Sequence, residues 1–156
     1  MNWKNHLTDH IKTPGAGLQF NPAASQEKIT ALKAEFLLEA IPDELQSFYE
    51  YADGISSLYD NDVTDEMVWC VDTVIRINKE YRTFPDFTDL YMSFDQLLFI
   101  ADSGNGDLFG YIVLQGKIER SDIFKWDHET DSRIWYAPNL AALTSKLIDE
   151  EEENTE

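Results

Sequence analysis

The apolar run Gln96 to Ala101 leads into Asp102-Ser103-Gly104-Asn105-Gly106-Asp107, and a second apolar run, Leu108 to Leu114, leaves it. Two strand-like segments joined by so short a turn can only pair antiparallel. Gly104, Asn105 and Gly106 supply the positive-φ positions that a tight hairpin needs. Gln115-Gly116 marks another turn. Beyond it, Ile123, Lys125 and Asp127 alternate with Phe124 and Trp126, the period-two pattern of a further strand. The segment closes on Trp126-Asp127-His128-Glu129.

Helical patterns flank this group. In a leader, residues 1–24, Trp3, Leu7 and Ile11 recur at i, i+4 and i+8, and Thr13 to Gly17 breaks the pattern. Ser25 caps a helix whose apolar face is Ile29, Leu32 and Phe36. Pro42 suits the first position of the next helix, and Asp43 and Glu44 favour its positive end. Leu45, Phe48, Tyr49 and Ala52 form its stripe, and Gly54 its stop. Ile55 to Glu66 reads as an acid-rich loop, and Met67 to Val71 as a buried strand. Asp72 or Thr73 is expected to cap a third helix that reaches about Arg82, with Phe84-Pro85-Asp86 as its break. Asp86 to Asp95 reads as a polar connection, and Tyr59, Phe84, Phe87, Tyr91, Trp135 and Tyr136 fall in loop-like stretches. Pro138-Asn139 opens a last helix with Leu140, Leu143 and Leu147 on one face. This order predicts an α+β fold, with helices packed on one face of a mostly antiparallel or mixed sheet. The domain should span residues 25–148. Residues 149–156 are nearly all acidic, and mutual repulsion predicts a disordered tail.

The charge balance narrows the partners. Twelve Lys and Arg against thirty Asp and Glu leave 12 − 30 = −18. Such a chain repels phosphate backbones and anionic membrane surfaces, so neither nucleic acid nor membrane is an expected direct partner. It attracts a basic protein, or the charge serves solubility alone. Cys70 is the one cysteine, so no internal disulfide can form, and its apolar setting suits a small buried hydrophobe. The N-terminus has no apolar h-region, and no run approaches the ~20 apolar residues of a membrane span. The cytoplasm is the expected location.

Catalytic patterns are incomplete. Gly104-Asn105-Gly106-Asp107 begins like a nucleotide-binding loop, but the next glycine is Gly110 and a strand follows where a helix is required. Asp60-Asn61-Asp62 with Asp65 and Glu66 offers oxygens for Ca²⁺, yet the glycine and distal Glu of a calcium loop are missing. His6 and His10 share a helix face without a third ligand. His128 lies among Asp127, Glu129 and Asp131 and suits a sheet-edge histidine better than a general base. Nothing in the sequence places Cys70 beside His128 as a nucleophile pair. No metal, no cofactor and no enzyme activity are expected.

The segment Ile41-Pro42-Asp43-Glu44-Leu45-Gln46-Ser47-Phe48-Tyr49, ending at Asp53-Gly54, resembles a signature of the SMI1/KNR4 family within the SUKH superfamily. Ser25, Phe99 to Asp107, Ile123 to His128 and Leu140 to Leu147 follow in that family's order, and the resemblance covers about Ser25 to Ile148. Ile41 stands where the family usually has Leu, and Asp53 where Asn is common. The resemblance implies an α+β domain without accepted catalytic residues. It further implies an immunity protein (antitoxin) that neutralises a protein toxin of a polymorphic toxin system, often a nuclease, or else a scaffold like the fungal relatives around cell-wall signalling. A domain of this charge would occlude a basic active site. The expected contacts are Tyr59, Asp60, Asp62, Asp65, Glu66, Trp126, Asp127, His128 and Glu129.

Overall fold

A computed structural model describes residues 2–10, 17–60 and 62–154. The helices are α1 (Trp3–His10), α2 (Gln26–Glu35), α3 (Asp43–Tyr51), α4 (Val71–Thr83), α5 (Pro85–Thr88) and α6 (Leu140–Asn154). The strands are β1 (Leu18–Phe20), β2 (Ile55–Tyr59), β3 (Asp62–Val68), β4 (Leu97–Asp102), β5 (Leu108–Ile112), β6 (Ile123–Asp127) and β7 (Ser132–Ala137). Among the described residues these strands form one seven-stranded sheet in the order β1 to β7, each antiparallel to the next. The fold is α+β, and the sheet is a meander.

Several local expectations change. Ile55 to Glu66 is the β2–β3 hairpin, not a loop, turning at Asp60 with φ of 51°. Strand β2 is paired on both sides, so its backbone is satisfied while Asp62 and Asp65 stay in water. The acids therefore mask a strand whose inner residues, Ile55, Ser56 and Ser57, are buried. Val71 begins α4 rather than ending a strand, and Cys70, not Asp72 or Thr73, is the N-cap. The free amides at that helix start are held by carboxylates that precede it, one after α3 and one on β3. Val71 N–H donates to Asp53 Oδ1 at 2.8 Å, and Cys70 N–H donates to Glu66 Oε1. Residues 132–137, including Trp135 and Tyr136, form β7.

The termini are tied in. Trp3 and Leu7 are buried, and the Trp3 indole N–H donates to Ser47 Oγ at 2.9 Å. Ile11 and most of the Thr13–Gly17 break lie outside the described residues. The acidic stretch expected to be disordered continues as α6 as far as Asn154. Glu is a good helix former, and two contacts fasten this helix to β7: Lys146 Nζ donates to Tyr136 O at 2.8 Å, and Tyr136 Oη donates to Glu150 Oε1 at 3.3 Å.

The register decides which side chains share a face. Leu98 pairs with Tyr111, while Phe99 pairs with Gly110 and Gly110 with Phe124. Alternation puts Leu98 and Tyr111 on one face, Phe99, Phe124 and Trp126 on the other. Helices α1, α3 and α6 gather on the Tyr111 face. There the Glu44 carboxylate accepts from Tyr111 Oη and from Leu140 N–H, both at 2.9 Å, joining α3, β5 and the start of α6. The Phe99 face is covered at its centre by rings. Tyr81, Tyr91 and Phe94 lie with centroids 5.0–5.7 Å from Trp126.

Strand β3 meets β4 only around Val68 and Trp69, and α4 then runs along the exposed edge of β4. Asn78 replaces the missing strand. Its amide Nδ2 donates to Phe99 O, and its Oδ1 accepts Phe99 N–H, both at 2.8 Å, while Arg82 Nη2 donates to Leu97 O at 2.8 Å. Asn78 and Phe99 are fully buried, so no solvent replaces these bonds. An Asn78→Leu variant strands one donor and one acceptor, and should lose about 2–4 kcal/mol of unfolding free energy in urea titration. A loss below about 1 kcal/mol would mean that β4 does not depend on this amide.

Candidate partner-binding surface

The two groups of expected contacts flank the β4–β5 turn. That turn is shaped by Gly104 and Gly106, with φ of 89° and 105°. Asp102 Oδ1 accepts Gly104 N–H at 2.9 Å, and Asn105 Oδ1 accepts Asp107 N–H at 3.0 Å, the side-chain-to-backbone bonds typical of turns. Asp107 is buried and faces the β6–β7 turn. Its Oδ1 accepts from His128 N–H at 3.1 Å and meets His128 Nδ1 at 2.7 Å, and its Oδ2 lies 3.5 Å from Lys125 Nζ. The imidazole lies against Gly106 so closely that a Cβ there would come within 3.0 Å of the ring.

The β6–β7 turn is braced from below. Asp131, at φ of 57°, accepts the Trp126 indole N–H at 2.7 Å and Met92 N–H at 2.9 Å, and lies 3.1 Å from Arg133 Nη2. Tyr91 Oη donates to His128 O at 3.3 Å. Burial alone would raise the Asp131 carboxyl, but these hydrogen bonds and the Arg133 guanidinium outweigh it and hold it below the usual carboxylate range.

On the other side of the β4–β5 turn, Asp65 of β3 lines a cleft with Asp102, Ser103, Gly104, Leu147 and Glu150. Three carboxylates from β3, β4 and α6 thus rim one recess. Asp102 is tied to the Trp69 indole N–H at 3.0 Å, and burial pushes its carboxyl up. The expected contacts divide accordingly. Asp60, Asp62, Asp65 and Glu129 are exposed, and Asp127 and His128 are half-buried. Glu66 is half-buried and committed to the start of α4, where Thr73 Oγ1 also donates to it at 2.9 Å. Trp126 is 2% exposed and belongs to the ring cluster. The side chain of Tyr59, and Asn61 of the calcium-like run, lie outside the described residues.

Other candidate chemistry is dispersed. Cys70 Sγ meets Thr73 Oγ1, whereas His128 meets Asp107, so the two are held by different partners. His6 Nε2 lies 3.0 Å from Ala141 O, and the His10 side chain is outside the described residues. Asp107, Asp127 and His128 bring one ligand atom each within 4.8 Å of one another, and Asp107 there accepts from His128 and lies 3.5 Å from Lys125 Nζ. The sequence reading missed Asp107 and Asp131 as anchors. Both are turn aspartates beside a glycine or a strand, a pattern that signals local hydrogen bonding without naming the partner.

A family model described as SMI1-KNR4 cell-wall matches residues 26–143. The chain belongs to that family. The match runs from α2 into α6 and includes both flanks of the β4–β5 turn. Two of its motif positions have clear roles in this SMI1-KNR4 member. Asp53 caps α4, and Gly54, at φ of 96°, lets the chain pass where a Cβ would lie 2.8 Å from Val68 O. No curated protein matches the chain. Among the described residues, no helix is long and apolar enough to cross a membrane.

The Asp107–His128 pair has a pH signature. The hydrogen bond to Asp107 raises the imidazole, with desolvation opposing it. Burial alone would raise the Asp107 carboxyl, but the His128 bonds and the Lys125 ammonium outweigh it and lower it. Charged His128 therefore favours the folded state below its ordinary value and loses that contribution as pH rises through its raised folded value. The Asp107 contribution is present above the ordinary carboxylate value and lost as pH falls through the lowered one. Melting temperatures of the native chain and His128→Asn should differ most between the ordinary carboxylate and imidazole values, about pH 4 to 6.5, and converge as pH rises through the raised His128 value. Curves that stay parallel across this range would remove the pair from the stability balance.

Proposed function

We propose that this chain is a cytoplasmic, non-catalytic immunity protein that captures a basic protein toxin, a nuclease of a polymorphic toxin system, and occludes its active site. The supporting observation is the placement of charge. A chain at −18 carries exposed acids of the β2–β3 hairpin and of the β6–β7 turn on either side of one rigid turn, with the Asp65–Asp102–Glu150 recess between them and α6. A nuclease gathers phosphate with Lys and Arg, so its cleft is complementary to such a rim. Long-range attraction between the two speeds encounter, which suits a neutraliser. Asp60, Asp62, Asp65, Asp127, His128 and Glu129 supply the contacts in this proposal, while Glu66 and Trp126 hold the elements that carry them.

The family description names the cell wall, and this favours a second reading, a non-catalytic scaffold with several partners of modest affinity. Stopped-flow association separates the two. With a purified cognate nuclease, the triple reversal Asp60→Lys, Asp62→Lys, Asp65→Lys should slow association at least about tenfold at low salt and flatten its salt dependence. The same variant should restore cleavage of nucleic acid in a mixed assay. Unchanged rates would clear the hairpin from the interface, and several weak partners in place of one tight one would favour the scaffold.

A further inference from the structure

Among the described residues, nothing covers one face of the sheet at the end away from the ring cluster. Phe124 pairs with Trp135 and Leu97 with Ile112, and alternation puts Ile112, Phe124 and Trp135 on the same face as Trp126. Tyr81, Tyr91 and Phe94 cover that face only near Trp126. Beyond them, Trp135 is 51% exposed and Leu114 52%, with Ile112 and Phe124 half-buried between. Ile112 joins two adjoining recesses, one shared with Phe124 and Arg133, the other with Leu114, Lys117 and Arg120. Trp135 is held in place, because its indole N–H donates to Asp122 Oδ1 at 2.9 Å and Asp122 is paired with Arg120. A preset tryptophan over a half-buried apolar floor has the make-up of an interface centre.

The rim says what fits. Lys117, Arg120 and Arg133 are paired with Glu39, Asp122 and Asp131, and Glu119 adds one further acid, so this face is close to neutral on a chain of −18. Two such chains repel at most approaches, and approach is least opposed where each presents neutral apolar ground. A rim that carries both signs can meet its own copy across a two-fold axis with opposite charges facing. We infer that two copies of this chain pair through the β5–β6–β7 face, Trp135 of one seated against the Leu114–Phe124 floor of the other. The inference stands apart from the antitoxin proposal, since Leu114, Phe124 and Trp135 are not among the contacts proposed for the toxin.

The salt dependence has a diagnostic sign. Screening weakens repulsion between like-charged chains, so the dimer should tighten with salt, whereas capture of a basic partner should weaken. Sedimentation equilibrium of the full chain should show a species of twice the single-chain mass, tighter at about 0.5 M than at about 0.05 M salt. Trp135→Asp and Leu114→Asp should each weaken it by about 30-fold or more, and Val63→Asp on the β2–β3 hairpin should not. Circular dichroism of each variant confirms folding, and the native salt series stands without any variant. A single-chain mass up to about 1 mM at high salt would overturn the inference. So would a dimer that salt weakens, or one that neither variant disturbs. A monomer whose Trp135→Asp variant loses toxin binding would assign the face to the toxin and overturn it equally.

Discussion

Strand β4 sits in the middle of the sheet with Leu97 to Ala101 all buried, and burial makes every one of its backbone polar groups a debt that protein must settle. Strand β5 pairs with it along its whole length on one side. On the other side β3 pairs only at the Val68–Ala101 end, and the polar side chains of α4 finish the edge at Phe99 and Leu97. The position of α4 follows from this need. Its start is set in turn by Asp53 after α3 and by Glu66 on β3, so α3, β3, α4 and β4 are locked through carboxylates and amides rather than through apolar contact alone.

The same logic shapes the loop end. Four turn or strand-end aspartates, Asp102, Asp107, Asp127 and Asp131, are engaged by protein donors. Their hydrogen bonds spend most of the local acidity on rigidity. Outside these bonds Asp60, Asp62, Asp65 and Glu129 stay exposed. The apolar ground of Ile112, Leu114, Phe124 and Trp135 lies apart from these acids.

Much of the architecture was legible in the chain. The β4–β5 hairpin announced itself through Gly104-Asn105-Gly106, α3 through Pro42-Asp43-Glu44 and its stripe, α2 through Ser25, which accepts Lys28 N–H as a cap should. These are local signals, carried by φ preferences and i, i+3, i+4 spacing. The β2–β3 hairpin was illegible because acids occupied its exposed positions, and β7 because Arg133 and Trp135 share one face while Ile134 and Tyr136 share the other, so neither face reads as purely apolar. The tail repelled itself on paper, yet the helix propensity of Glu and the anchoring of Lys146 and Glu150 on Tyr136 carried α6 through it.

For the site, the sequence by itself determined which residue types were present: a surplus of carboxylates, a Trp-Asp-His-Glu segment after a strand, and family membership that residues 26–143 bear out. Tertiary structure alone decided their employment. It buried Trp126, assigned Glu66 to the start of α4, and brought Asp65 and His128 to opposite sides of one turn although more than sixty positions separate them. It also left Trp135 half in water. Residue chemistry is local, and composition and spacing reveal it. Whether a carboxylate faces solvent or a backbone amide depends on which strands become neighbours, and only the folded sheet sets that.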